Sequence, residues 1–244
     1  MRLINKKAGQ TPLEALQFFR NKNTKLASEK LSYIGRLDPM AEGKMIILIG
    51  EKENKNREKY LNCDKEYVAE FIIGISTDSL DILGLINKSI AQKTEVKLQK
   101  IKEICKQIKK IKSQKYPWFS GKTINGVKMF DIYKSGRIEG LKRPVNKIEI
   151  KKISDIKIGA VNKKILQKEI LNRINKVNGD FRQEKTKQSW LDFFDKTQLT
   201  KFQTISFKIK VSSGTFVRSF SENIEKYLKR PILLYKLKRI KIFA

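Results

Sequence analysis

One carboxylate sits in a tightly constrained turn. Asp38 lies within Gly35-Arg36-Leu37-Asp38-Pro39-Met40-Ala41-Glu42-Gly43, directly ahead of the apolar run Met45 to Ile49 and Gly50. Pro39 holds the residue before it extended and out of a helix, and the two flanking glycines can take backbone angles closed to other residues. A carboxylate presented that way is placed to do chemistry, and equally to cap a turn by satisfying local amides.

The chain contains no histidine, which removes Ser-His-Asp and Cys-His nucleophile systems and the usual zinc clusters together. Chemistry must therefore rest on carboxylate, Tyr, Lys and Arg. Arg218 stands out among these, because it is expected in the first turn of a helix, where the positive end of the helix dipole disfavours a cation by a few tenths of a kcal/mol. A carboxylate partner reverses that preference, and Asp38 is the expected partner. Such a pair keeps an acid ionised that burial alone would leave protonated.

The elements that must position these groups are readable from periodicity and caps. Thr11-Pro12-Leu13-Glu14 predicts a capped helix start, with Leu13, Leu16, Phe18 and Phe19 on its apolar side. Residues 44–50 predict a buried strand, 55–62 a short helix and 65–75 a long strand with Tyr67, Ala69, Phe71, Ile73 and Ile75 on one face. Residues 94–112 predict an amphipathic helix with Ile101, Ile104, Ile108 and Ile111 in a stripe. Asn125-Gly126 predicts a tight hairpin. Residues 160–200 break the strand-rich rhythm with a polar helical stretch, expected as an insertion packed on the main body. Alternation from Ile205 to Ser212 predicts a half-buried strand, which Gly214 and Thr215 turn into a helix with Val217, Phe220, Ile224 and Leu228 inward, and a last strand starts at Ile232.

Lys and Arg number 54 against 25 Asp and Glu, a formal charge of +29. Each phosphate neutralised by a basic side chain releases condensed counterions, so the implied partner is RNA or DNA, bound tightly at low salt and loosely at high salt. A lysine-rich surface can also reflect solubility alone. No segment reads as long or apolar enough to span or anchor in a membrane, and no signal peptide precedes Arg2-Leu3-Ile4, so a cytoplasmic location is expected. Cys63 and Cys105 suggest neither a disulfide scaffold nor a metal site. With 244 residues and 40% hydrophobic content, the chain can bury a core as one large domain or as a body with an inserted subdomain.

Segment Gly35 to Gly43 resembles the Gly-x-Leu-Asp-Pro-x-Ala-x-Gly motif of the tRNA pseudouridine synthase B (TruB) family, through Gly35, Leu37, Asp38, Pro39 and Ala41 with Gly43 closing the turn. Three further segments follow in order. Lys65-Glu66-Tyr67-Val68-Ala69 is similar to the family's Lys-x-Tyr strand, Gly214-Thr215-Phe216-Val217-Arg218 to its Gly-Thr-aromatic-x-Arg motif, and Leu237-Lys238-Arg239-Ile240 to its Leu-Arg-Arg-Leu. Tyr116 to Ser120 and on to Tyr133 to Arg137 resembles, more loosely, a Pro-x-Ser-Ala-x-Lys-x-x-Gly segment and a helix ending in Ala-Arg; Thr123 stands where the family usually has Lys, and Lys122 is one residue early. Asn5 to Thr11 resembles the family's opening motif without its proline.

The resemblance implies an α+β fold: a mixed, mostly antiparallel central sheet flanked by helices, as one catalytic domain over residues 1–244 with the helical insertion at 160–200; many members carry an extra C-terminal RNA-binding domain, which is not expected here because the sequence stops four residues after Ile240. It implies a pseudouridine synthase that isomerises uridine 55 of the tRNA T-loop, acting as a monomer with no metal or organic cofactor. Asp38 corresponds to the catalytic aspartate, with Arg218 holding it ionised and Tyr67 stacking on the flipped base. Leu237 packs against the uracil, and Tyr33, Arg36, Lys65, Lys122 and Arg137 are expected to meet the RNA. Tyr33 stands where the family commonly has a histidine, and Arg36 where it usually has Thr or Ser. Two other readings stay open at this level: a synthase for another RNA site, and a non-catalytic RNA-binding or tRNA-folding protein.

Overall fold

The computed structural model describes residues 1–90 and 94–244. Strand β1 (Arg2–Lys6) leads to helix α1 (Pro12–Lys22). Thr11 caps that helix as expected: its hydroxyl accepts from Glu14 N, and the Glu14 carboxylate accepts from Thr11 N. The helix buries Ala15 and Leu16, whereas Leu13 and Phe18 are exposed. The expected four-residue apolar side is therefore too broad; Leu13 faces a surface cleft, and the Lys22 ammonium covers the Phe18 ring at 4.7 Å.

Strands β2 (Leu31–Ile34) and β3 (Glu42–Ile49) pair antiparallel around the Asp38 turn. Two short helices, α2 (Gly50–Lys55) and α3 (Glu58–Leu61), replace the single expected one. Strand β4 (Asp64–Ile73) stops two residues before the expected end, because Gly74 takes φ +100 and donates to the Pro231 carbonyl. The chain then forms a separate hairpin of β5 (Ile75–Thr77) and β6 (Ile86–Ser89). Helix α4 (Leu98–Ile108) is shorter than the pattern implied, yet Ile101, Ile104 and Ile108 are buried along it.

Next come β7 (Ser113–Lys115), the hairpin β8 (Thr123–Ile124) and β9 (Val127–Lys128), α5 (Met129–Lys134) and β10 (Val145–Lys147), which pairs with β7. Positive φ at Asn125 and Gly126 closes the β8–β9 turn as the sequence requires. Strands β11 (Ile150–Asn162) and β12 (Lys201–Val211) are antiparallel partners whose register ends at Asn162 opposite Lys201. Helices α6 (Lys163–Asn175) and α7 (Gln183–Lys196) fill the excursion between those two residues. A 3-10 turn, Val217–Ser219, then leads into α8 (Phe220–Leu228), and β13 (Ile232–Phe243) completes the sheet.

The sheet has seven strands in the order β1-β3-β13-β4-β12-β11, with β2 also paired to β3. All its pairings are antiparallel except β13 with β3. The expected mixed, mostly antiparallel α+β architecture is what forms. One continuous core joins inward residues of β4, β12 and β13 to α4, α6, α7 and α8, with Phe71 stacked on Phe207 at 5.4 Å. Burying each such side chain contributes roughly 1.5–3 kcal/mol, which makes the sheet a stiff base for the turns at its edge.

Candidate active site

Those turns border a cleft of about 1030 Å³, lined by residues of the Asp38 turn, β4, β13 and the segment before α8. Gly35 (φ +72) and Gly43 (φ +113) do take the left-handed backbone expected of them. At Gly43 a Cβ atom would lie 2.2 Å from the Arg239 carbonyl oxygen of β13, so only glycine lets the two strands meet there. The turn is also supported from below. The Pro39 carbonyl accepts from Gly9 N at 2.8 Å and from the buried Lys6 ammonium at 3.4 Å, while Ala41 N donates to Asp38 O at 3.0 Å. Burial lowers the Lys6 pKa to about 8, with the Asp38 charge opposing the shift.

Arg218 lies in the 3-10 turn just before α8, one step earlier than the first helical turn expected, and is fully enclosed. Its Nη1 is 2.9 Å from the Asp38 carboxylate and 3.5 Å from that of Asp81, and its Nη2 donates to the Phe119 carbonyl. Asp38 keeps 30% of its side chain exposed against 5% for Arg218 and 3% for Asp81. The guanidinium thus bridges one acid that faces the cleft and one that does not. Burial pushes the Asp81 carboxyl above the ordinary carboxylate range; Arg218 opposes that push and the Asp38 charge adds to it. Asp81 is fixed independently, because its carboxylate accepts from Ser79 Oγ at 2.7 Å and Leu83 N at 2.9 Å.

Tyr67 is buried on β4 with its ring at the cleft, and its hydroxyl accepts from Arg239 Nε at 3.0 Å. With that oxygen already receiving a proton donor, the hydroxyl's own hydrogen is free to point elsewhere. The rest of the Arg239 fork reaches the Gly35, Arg36 and Lys44 carbonyls at 2.7, 3.0 and 3.2 Å. One guanidinium therefore ties the Asp38 turn to the aromatic ring across from it.

Leu237, Tyr33, Arg36, Lys65 and Lys122 also line this cleft. Lys65 is turned inward, its ammonium donating to Leu61 O, Cys63 O and Ser213 Oγ, and burial holds its pKa at about 8. Its three donors are thus engaged by the protein. Lys122 is exposed, 5.5 Å from the Tyr116 ring centroid, and Tyr116 meets Phe216 edge-on at 5.6 Å. Arg137 is not brought to the cleft; it sits exposed beyond α5 with Nε on Ser135 Oγ. Sequence reasoning missed Asp81 and Arg239. Asp81 belongs to an acidic loop, Asp78-Ser79-Leu80-Asp81, conspicuous in so basic a chain, and Arg239 lay within a motif already noted.

Among the described residues no group of three or more His, Cys, Asp or Glu side chains converges in a way that could hold a metal, and no helix is long and apolar enough to cross a membrane.

Residues 22–172 match the family model described as TruB family pseudouridylate synthase, N terminal domain. The chain belongs to this family. A match to one relative extends the likeness to nearly the whole of this chain. A tRNA pseudouridine synthase B of Caldicellulosiruptor saccharolyticus is 27% identical over 98% of this chain, which spans 66% of that relative. One from Protochlamydia amoebophila is 33% identical over 55% of the chain, or 49% of its own length. The chain thus spans half to two thirds of the length of these relatives. In fold it is similar to a chain of a Cbf5-Nop10-Gar1 complex, with a TM-score of 0.55 at 17% identity over 98% of this chain and 48% of that one.

Proposed function

We propose that this TruB-family chain is a tRNA pseudouridine synthase that converts a uridine of the T-loop, uridine 55, to pseudouridine, with Asp38 as its catalytic carboxylate. One observation carries the reading: Asp38 alone of the two acids on Arg218 opens to the cleft, 2.9 Å from a cation that is itself enclosed. An opposite charge at this distance fixes the direction in which the carboxylate points while its other side stays open to the cleft.

The isomerisation breaks the bond between ribose C1′ and uracil N1, turns the base, and joins C1′ to C5. The C5 proton leaves and N1 gains one, so atoms balance without a co-reactant. Asp38 supplies the carboxylate that forms the adduct with the ribose or the base. Tyr67 stacks on the flipped uracil, Leu237 packs beside it, and Arg218 holds the carboxylate. Tyr33, Arg36 and Lys122 at the cleft border contact the RNA chain. The chain works as one catalytic domain, with the helical pair of residues 163–196 as an excursion from it.

Asp38→Asn tests this. Pseudouridine at the T-loop position, mapped in tRNA treated with purified protein, should disappear while tRNA binding persists. Undiminished product from the Asn variant rejects Asp38, and product at a different nucleotide rejects the T-loop assignment.

A further inference from the structure

The loop between β5 and β6 carries Asp81, and one side of α7 holds that loop in place. Arg182, the residue just before α7, forms a bidentate pair with Asp78, Nη1 to Oδ2 at 2.8 Å and Nη2 to Oδ1 at 3.1 Å. One turn later Thr186 donates to the Leu83 carbonyl at 3.4 Å. Ser189 Oγ accepts from Ile86 N at 3.1 Å, and Trp190 Nε1 donates to the Ile82 carbonyl at 3.1 Å. Positions 186, 189 and 190 fall on a single helical face, and Arg182 stands directly before it. These four side chains all meet residues 78–86.

Arg182 has a second contact. Its guanidinium stands 4.4 Å from the centroid of the Phe119 ring, and the carbonyl of Phe119 is the acceptor for Arg218 Nη2. The two groups that hold Arg218 besides Asp38, the Asp81 carboxylate beside Nη1 and the Phe119 carbonyl on Nη2, therefore belong to segments braced by Arg182. The pair is not a solvated surface bridge of small worth, since Arg182 and Asp78 keep only 16% and 7% of their side chains exposed. Arg182 also holds left-handed backbone, φ +60, a conformation that residues other than glycine adopt when surrounding contacts impose it. It lies beyond the residues matched by the family model.

We infer that Arg182 is a positioning residue, which braces Asp78 and Phe119 so that Asp81 and the Phe119 carbonyl aim the Arg218 guanidinium at Asp38. The α6–α7 excursion thereby becomes part of the scaffold of the site. This inference rests on the reading of Asp38 and Arg218 as the catalytic pair.

Arg182→Gln removes the charge and the fork, and Arg182→Lys restores the charge alone. Single-turnover pseudouridine formation on tRNA should slow about 10- to 100-fold in the Gln variant, as a misplaced catalytic group does, with tRNA affinity unchanged and partial rescue by Lys. Combined with Asp81→Asn, the Gln variant should be no slower than the worse single variant, because both act through Arg218. An unchanged rate, or effects that multiply, overturns the inference. Nitrogen-15 NMR of the Arg218 guanidinium gives a readout independent of turnover: rotation of its terminal nitrogens should be restricted in the native protein and freed in the Gln variant, and equal rotation in both overturns the inference. Native protein that forms no pseudouridine but shows this NMR change refutes the proposed activity and supports the bracing. Should Arg182→Gln not fold, Asp78→Asn removes the same ion pair with a smaller change in shape and is read the same way.

Discussion

Arg239→Met is the perturbation that most directly separates the scaffold of the site from its chemistry. Arg239 is 2% exposed and gives four hydrogen bonds, to Gly35 O, Arg36 O, Lys44 O and the Tyr67 hydroxyl, at 2.7 to 3.2 Å. A hydrogen bond from a charged donor contributes about 1.5–3 kcal/mol net, but four from one side chain do not add, and removing the cation also removes the cost of burying it. What remains is three part-buried carbonyls and the Tyr67 oxygen without their donor, a loss of about 1–3 kcal/mol for each group that water does not reach. Tyr67→Phe breaks only one of the four bonds and should cost about 1–2 kcal/mol. Urea unfolding of the native protein and both variants gives these stabilities, and single-turnover rates on the same preparations give the functional share. Arg239→Met should lose more activity than Tyr67→Phe, because it frees both the aromatic ring and the turn that carries Asp38. A Met variant within about 1 kcal/mol of native stability, or one no less active than Tyr67→Phe, refutes the argument that this guanidinium ties the site together.

Further outcomes follow from the same geometry. Burial holds Lys6 and Lys65 near pKa 8 against an ordinary 10.5; between those values the unfolded chain binds more protons than the folded one, so unfolding free energy should rise with pH across that window. Replacing both by Met should flatten this rise, by about 3 kcal/mol per lysine, in urea titrations run at successive pH values. Arg218→Ala should abolish most pseudouridine formation, whereas Lys109→Ala, at an exposed position after α4, should leave it near native; equal losses in a product assay speak against the Asp38–Arg218 pairing. The tRNA dissociation constant should increase steeply with added salt, and a flat response contradicts phosphate recognition.

The sequence was most legible where the deciding interactions are local. The Thr11–Glu14 capping box, the Asn125-Gly126 turn and the alternation along β12 each depend on residues within a few positions, and each formed as read. The approach of Arg218 to Asp38 was legible through the two motifs that carry these residues rather than through the helix dipole, because Arg218 lies in the 3-10 turn before α8 and not in its first turn. Asp81 and Arg239 were not legible, because their roles come from contacts 137 residues away to Arg218 and 172 residues away to Tyr67. The apolar side read for α1 was too broad, since Leu13 and Phe18 on it are exposed. Arg137, which the loosest of the motifs carries, stands outside the cleft on Ser135 Oγ, and the local pattern around it held no sign of that placement.

Strand β13 lies between β3 and β4 and provides both Leu237 and Arg239, although it is the last strand in chain order. During synthesis on the ribosome, every earlier strand emerges before the one that belongs between them. Until residues 232–243 arrive, the inner side of β4 has open amide and carbonyl groups that another chain could pair with. A nascent chain halted short of that segment should therefore lack the Leu237 and Arg239 wall of the cleft and leave one edge of β4 open to pairing with other chains.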